Sequence, residues 1–185
     1  MAKFVLGLIV GWLLLAAGVA VYFASGSAPV STSAAPMPLE KRLAKLALHA
    51  RINKEMPTHV PIPADEPNYL AGAHTYRQNC AVCHGLPSQP PTALSKGMFP
   101  VAPQLWEHPV TDDPPGETYW KAANGIRLSG MPGFKKTLSE TQLWQVTLLL
   151  AHADKLPDSV RQLLKQPLAS EGTPAVVVNT AGPKK

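Results

Sequence analysis

From Phe4 to Ala24 the chain is apolar almost throughout and carries no charge over 21 positions. At about 1.5 Å per residue such a helix spans the roughly 30 Å hydrocarbon core of a bilayer. A cleaved signal peptide would need an apolar core of only about 7–15 residues. The small residues that follow make poor cut sites, because Pro29 and Pro36 stand just beyond them. An uncleaved anchor over residues 1–24 is therefore expected. Lys3 and the amino terminus place that end in the cytoplasm and the rest of the chain across the membrane. Gly7 and Gly11 form a GxxxG pattern of the kind that packs membrane helices, but it names no partner.

The pattern then changes twice. Residues 25–38 are rich in Ser, Ala and Pro with no apolar period, and extended they would reach on the order of 40 Å. Residues 39–56 are rich in helix formers, with Leu39, Leu43, Leu46 and Ala50 on one side and Leu48 and Ile52 opposite. That helix has three possible settings: on anionic headgroups, against the folded domain, or as a solvated spacer. A second Pro-rich stretch, 57–67, completes the expected linker region 25–67. From residue 68 the pattern reads helix, long loop, helix, loop, helix. The helices are expected at 69–84, at 117–125 (stopped by Gly125) and at 139–154, where Ser139 and Gln142 make a capping box. Leu143, Val146, Thr147, Leu150 and Ala151 form the expected buried stripe of the last. The first two are separated by over 30 residues rich in Pro and Gly. A compact domain holds so long a loop when it wraps something large.

Charge adds one exclusion. The chain carries a formal net charge of +5. Residues 65–157, however, hold seven Lys/Arg against eight Asp/Glu. The excess lies in Lys3, in 39–56 and beyond 157. A nucleic-acid-binding domain would show a basic stripe with aromatic partners, and this one has none.

The only two cysteines stand in "YRQNCAVCHG", followed directly by His84. A zinc site would need further ligands, and the other histidines are scattered. A redox dithiol would follow a buried strand, and no strand is predicted. C-x-x-C-H is the attachment signature of haem c. On one helical turn Cys80 and Cys83 face the same way, for two thioether bonds to one haem edge, and His84 reaches the iron. For the sixth position "GIRLSGMPGF" offers Met131 on a glycine-flanked loop, suited to a low-spin iron of raised potential. Met98 is its rival.

Together these motifs resemble a class I monohaem c-type cytochrome over residues 68–157. Gly72 and Tyr76 precede "CAVCHG" as in the first helix of such domains, "SGMPGF" looks like the axial-methionine loop, and "LWQVTLLLAH" is similar to the closing helix. The resemblance implies an all-α cytochrome c fold, three to four helices around one covalently bound haem, behind the transmembrane helix. It implies that Trp144 lies against Gly72, that Pro103 accepts a hydrogen bond from His84 and that Leu105 packs on the haem face. It further suggests Arg127 as a propionate partner, and Lys135 and Lys136 near the exposed haem edge. Trp106 and Trp120 are read as pocket or core aromatics.

The resulting expectation is an electron-transfer protein rather than an enzyme. It would sit as a single-pass protein in a bacterial inner membrane, haem domain in the periplasm, with haem c as cofactor and no small-molecule substrate. Its partners would be the lipid bilayer and redox proteins such as a quinol-oxidising complex, a dehydrogenase or a terminal oxidase. The two Pro-rich stretches would let the domain swing between them. Two alternatives stay open: a haem enzyme or gas/peroxide sensor with a displaceable sixth ligand, and a fixed cytochrome subunit of a membrane oxidoreductase complex. Residues 158–185 are expected to add a short helix and a disordered tail.

Overall fold

The structure is a computed structural model that describes residues 1–168. The expectation of a disordered tail over 169–185 lies outside the described residues. Eight helices and no strand make up the described chain: α1 (Ala2–Ala24), α2 (Glu40–Glu55), α3 (Glu66–Asn79), α4 (Ala81–His84), α5 (Ala93–Gly97), α6 (Pro115–Asn124), α7 (Glu140–Ala151) and α8 (Asp158–Lys165). α1 buries no residue. It is long and apolar enough to cross a membrane.

α3 and α7 cross at the centre of the fold. Asp65 caps α3, accepting from the Asn68 amide at 3.1 Å, with Pro67 in the first turn. Each device satisfies or removes an orphan amide. Ser139 and Gln142 form the predicted capping box of α7 at 3.2 and 2.9 Å. The crossing depends on Gly72. A Cβ there would overlap the carbonyl oxygen of Gln145 and stand 2.7 Å from its carbon. Close approach of two backbones is what glycine permits.

α7 is buried on more than the stripe its periodicity predicted. Leu143, Trp144 and all of Val146–Leu150 are buried, whereas Ala151 is only half-buried. The reason is that α3 and α6 both pack on α7. A helix apolar around most of its circumference belongs inside. Trp144 accordingly turns to α6 and stacks on Tyr119 with ring centroids 4.2 Å apart. The α7 atoms nearest a Cβ at Gly72 are the backbone of Gln145 and Val146, directly after Trp144 in the chain.

Two segments that sequence reading set apart pack on this core. Val160 and Leu164 of α8 are buried within it. Arg77 of α3 donates to the carbonyls of Leu163 (3.0 Å), Gln166 (2.6 Å) and Pro167 (3.0 Å), closing the exposed end of α8. On the other side Ile52 of α2 is fully buried. Trp120 of α6 donates to Glu55 at 3.2 Å, and Gly116 lies against the Pro57 carbonyl. Val60 and Ile62 of the second Pro-rich stretch pack on the core as well. That stretch is thus part of the folded unit, which removes one of the two segments expected to let the domain swing. Residues 29–36 fold back to share a cavity with Phe99 and Leu128.

Candidate functional site

Cys80 is both the last turn of α3 and the cap of α4. Its amide bonds Tyr76 O at 2.8 Å, while its carbonyl accepts from Cys83 (3.1 Å) and His84 (2.9 Å). The C-x-x-C-H run is therefore wound into one helical turn, and both thiols are free. Burial pushes the Cys80 thiol up to about 12, with the nearby Cys83 adding to it, and raises Cys83 too. A redox dithiol needs a lowered thiol pKa in electropositive surroundings, so this environment argues against one. Among the described residues no group of three or more His, Cys, Asp or Glu is placed to hold a metal ion. Zinc is likewise poorly served.

His84 is oriented from behind. Its Nδ1 lies 2.9 Å from the Pro103 carbonyl. A carbonyl can only accept, so Nδ1 carries the proton and Nε2 keeps its lone pair. Burial lowers the His84 pKa, with the Pro103 bond a smaller opposing influence. A neutral imidazole held in one tautomer is the form that ligates iron. Leu105 donates its amide to the His84 carbonyl at 3.2 Å and its half-buried side chain packs on the core.

Met131 sits on a loop closed at its neck. Ile126 N donates to Met131 O (3.1 Å), and Phe134 N and Lys135 N donate to Ala122 O (2.9 Å) and Ala123 O (3.0 Å). Gly125 has φ +69, and a Cβ there would meet Gly133 N at 2.5 Å and the Met131 carbonyl oxygen at 2.8 Å. Only glycine suits both the left-handed backbone and the contact. Inside the loop, Ser129 Oγ donates to Ile126 O (2.7 Å) and accepts from Met131 N (3.2 Å). Met98, the rival methionine, lies close by, with its methyl against Gly130. Arg127 and Lys135 and Lys136 are exposed, and none has an ion-pair partner among the described residues. The structure thus links Cys80, Cys83, His84, Pro103 and Leu105 directly and leaves Arg127 on the surface.

Two residues that sequence reasoning missed, Gln104 and Ser95, tie the site together with Tyr76, which the resemblance named without a role. Gln104 Nε2 lies 3.1 Å from Cys83 O, 2.9 Å from Ser95 Oγ and 3.1 Å from Ala102 O. Its side chain clamps the turn of the two cysteines to the Pro103 loop. Ser95 is buried beneath it. Tyr76 donates its buried hydroxyl to Gly85 O at 2.8 Å, which holds the chain just after His84. The only prior signal for Gln104 was a polar amide lodged between Pro103 and Leu105. Gln104→Leu keeps the volume but leaves these acceptors without their donor. Buried groups so orphaned cost about 1–3 kcal/mol each, so a loss of about 2 kcal/mol is expected. Denaturant titration of wild type and variant checks it; an unchanged midpoint would mean water replaces the amide.

Haem c suits what stands here: two thiols on one helical turn, an imidazole with Nε2 free, and a buried Trp106 indole N–H with no acceptor among the described residues. Residues 67–149 match the family model described as cytochrome c oxidase, cbb3-type, subunit III. No curated protein and no solved structure matches the chain.

Proposed function

We propose, on the premise that this chain is a c-type cytochrome with covalently bound haem c in residues 67–149, that it is a one-electron carrier tethered to a membrane by α1. Haem c supplies an Fe(III)/Fe(II) couple whose potential is governed by its axial ligands and surroundings. Cys80 and Cys83 would hold it through thioether bonds. His84 Nε2 and Met131 Sδ would occupy the two axial positions, with Pro103 fixing the imidazole plane and Leu105 packing beside it. Arg127, exposed here, would serve a propionate only by turning inward.

The observation that carries this reading is the closed Met131 loop, pinned by the Ile126–Met131 bond and the Gly125–Gly133 contact. A ligand that cannot swing away keeps the metal saturated in both oxidation states, which suits electron transfer rather than substrate binding. In this reading α1 crosses a bacterial inner membrane with its amino-terminal end in the cytoplasm and the haem domain in the periplasm. Tethering raises the effective concentration of the domain near membrane-bound redox partners, such as a quinol-oxidising complex, a dehydrogenase or a terminal oxidase. Mixing the reduced protein with carbon monoxide should leave its absorption spectrum unchanged over minutes. Rapid formation of a carbonyl complex would replace the carrier by a ligand-binding haem protein.

A second reading is favoured by the description of the matched family, which names an oxidase subunit. Here the chain is a fixed cytochrome subunit of a membrane oxidoreductase complex, with Gly7 and Gly11 of α1 packing on a neighbouring span. Purification in mild detergent separates the two. A carrier comes away alone, and a subunit comes away with its complex.

A further inference from the structure

We propose that α2 is a two-faced clamp that holds the haem domain against an anionic lipid surface at a set orientation. One face is already occupied. Ile52 is fully buried, Leu48 is half-buried, and Glu55 accepts from Trp120 of α6 at 3.2 Å. The opposite face is a leucine stripe. Leu43, Leu46 and Ala50 fall within about 60° of arc at 3.6 residues per turn, roughly 180° from Leu48, and Leu39, the left-handed N-cap at φ 65, precedes them. Among the described residues nothing covers it: Leu43 and Leu46 are 59% and 68% exposed, and Leu39 at the N-cap 62%.

The charges around the stripe choose its occupant. Arg42 borders it on one side and Lys54 on the other, about 70° and 50° from its centre, while Lys45 and Lys41 stand further round, toward the face of Ile52. All four lack an ion-pair partner among the described residues. The two acids of the helix are engaged, Glu40 by the Met37 amide (2.8 Å) and Glu55 by Arg51 (2.7 Å). An apolar stripe bordered by free cations matches the boundary of an anionic bilayer, where the leucines enter the acyl region and the long basic side chains reach up to the headgroups. A protein partner would need an apolar groove rimmed with acids. The chain itself favours lipid. Residues 25–38 join α2 to α1, and their reach of about 40 Å is ample to lay the helix on the membrane that α1 would cross.

The consequence is orientational. α6, to which α2 is fixed, leads directly into the Gly125–Gly133 loop that presents Met131. A bilayer-bound α2 therefore holds that loop at a constant angle to the membrane plane, where a free tether would let it tumble. The inference rests on the anchor reading of α1.

The test uses the full-length holoprotein in vesicles of phosphatidylcholine alone or with one-third phosphatidylglycerol. Amide exchange over Leu43–Ala50 should slow at least about tenfold in the anionic vesicles. The effect should vanish in Leu43→Gln/Leu46→Gln and weaken in Arg42→Gln/Lys54→Gln. Exchange in α6 should be unaffected in both, which shows that the domain remains folded. Equal exchange in the two lipids overturns the proposal. So does protection that appears in detergent and grows with protein concentration, which would mean a second copy covers the stripe. Flotation keeps the two readings apart. A chain that does not rise with vesicles defeats the anchor, and one that rises with α2 unprotected defeats only the clamp.

Discussion

Met131→Ala is expected to remove the long-wavelength charge-transfer band of the ferric protein, lower its reduction potential and let carbon monoxide bind the ferrous form. Axial ligand identity is among the strongest levers a protein has on haem potential. The alanine has no donor atom, and the hydrogen bonds that close the loop use backbone and Ser129 rather than the Met131 side chain. The loop should therefore survive the substitution, making the effect one of ligation rather than folding. Met98→Ala is the necessary companion, because the Met98 methyl rests against Gly130 beside the same loop. It should retain the band. If instead the band is lost in Met98→Ala and kept in Met131→Ala, the ligand is Met98. A spectrum from 600 to 750 nm and a potentiometric titration of both variants decide it.

Gly72→Val should prevent most of the holoprotein from accumulating. Its Cβ would overlap the Gln145 carbonyl oxygen, a backbone atom that no rotamer change can move. Relief requires α3 and α7 to separate, which unpacks Ala73, Tyr76, Val146 and Leu149 together. Overpacking typically costs about 1–3 kcal/mol, and a backbone clash at a helix crossing belongs at or above the upper end. Against a total stability of about 5–15 kcal/mol this is a large fraction. α3 also carries Cys80 at its end, so its displacement shifts the attachment turn with it. Haem-stained yield and the thermal midpoint of any recovered protein measure the effect. Wild-type yield and midpoint would show that the crossing is softer than its geometry.

Much of this molecule could be read before its structure. C-x-x-C-H is a local pattern, so the placement of Cys80, Cys83 and His84 on one turn followed from spacing alone. The α7 capping box was equally local, since Ser139 and Gln142 lie within one turn of each other. The uncharged run of α1 was a matter of composition. Even the bond from His84 to Pro103, 19 residues apart, was anticipated, but through family resemblance rather than any periodicity.

What periodicity left open were relations between elements. Whether α2 lies on lipid, on the domain or in solvent depended on what its Ile52 would meet, and α6 supplies that partner from more than 60 residues away. The attachment of α8 rests on Arg77 reaching carbonyls over 80 residues downstream. The stacking of Trp144 on Tyr119 joins α7 to α6 across 25 positions of the chain. Gln104 became visible only once Cys83, Ser95 and Ala102 converged on one amide. Caps, turns and spans are written in neighbouring residues, because their hydrogen bonds and apolar periods close within a few positions. Which faces meet, and which polar groups find partners far along the chain, is settled by burial, since only tertiary packing removes water from both sides of a contact at once.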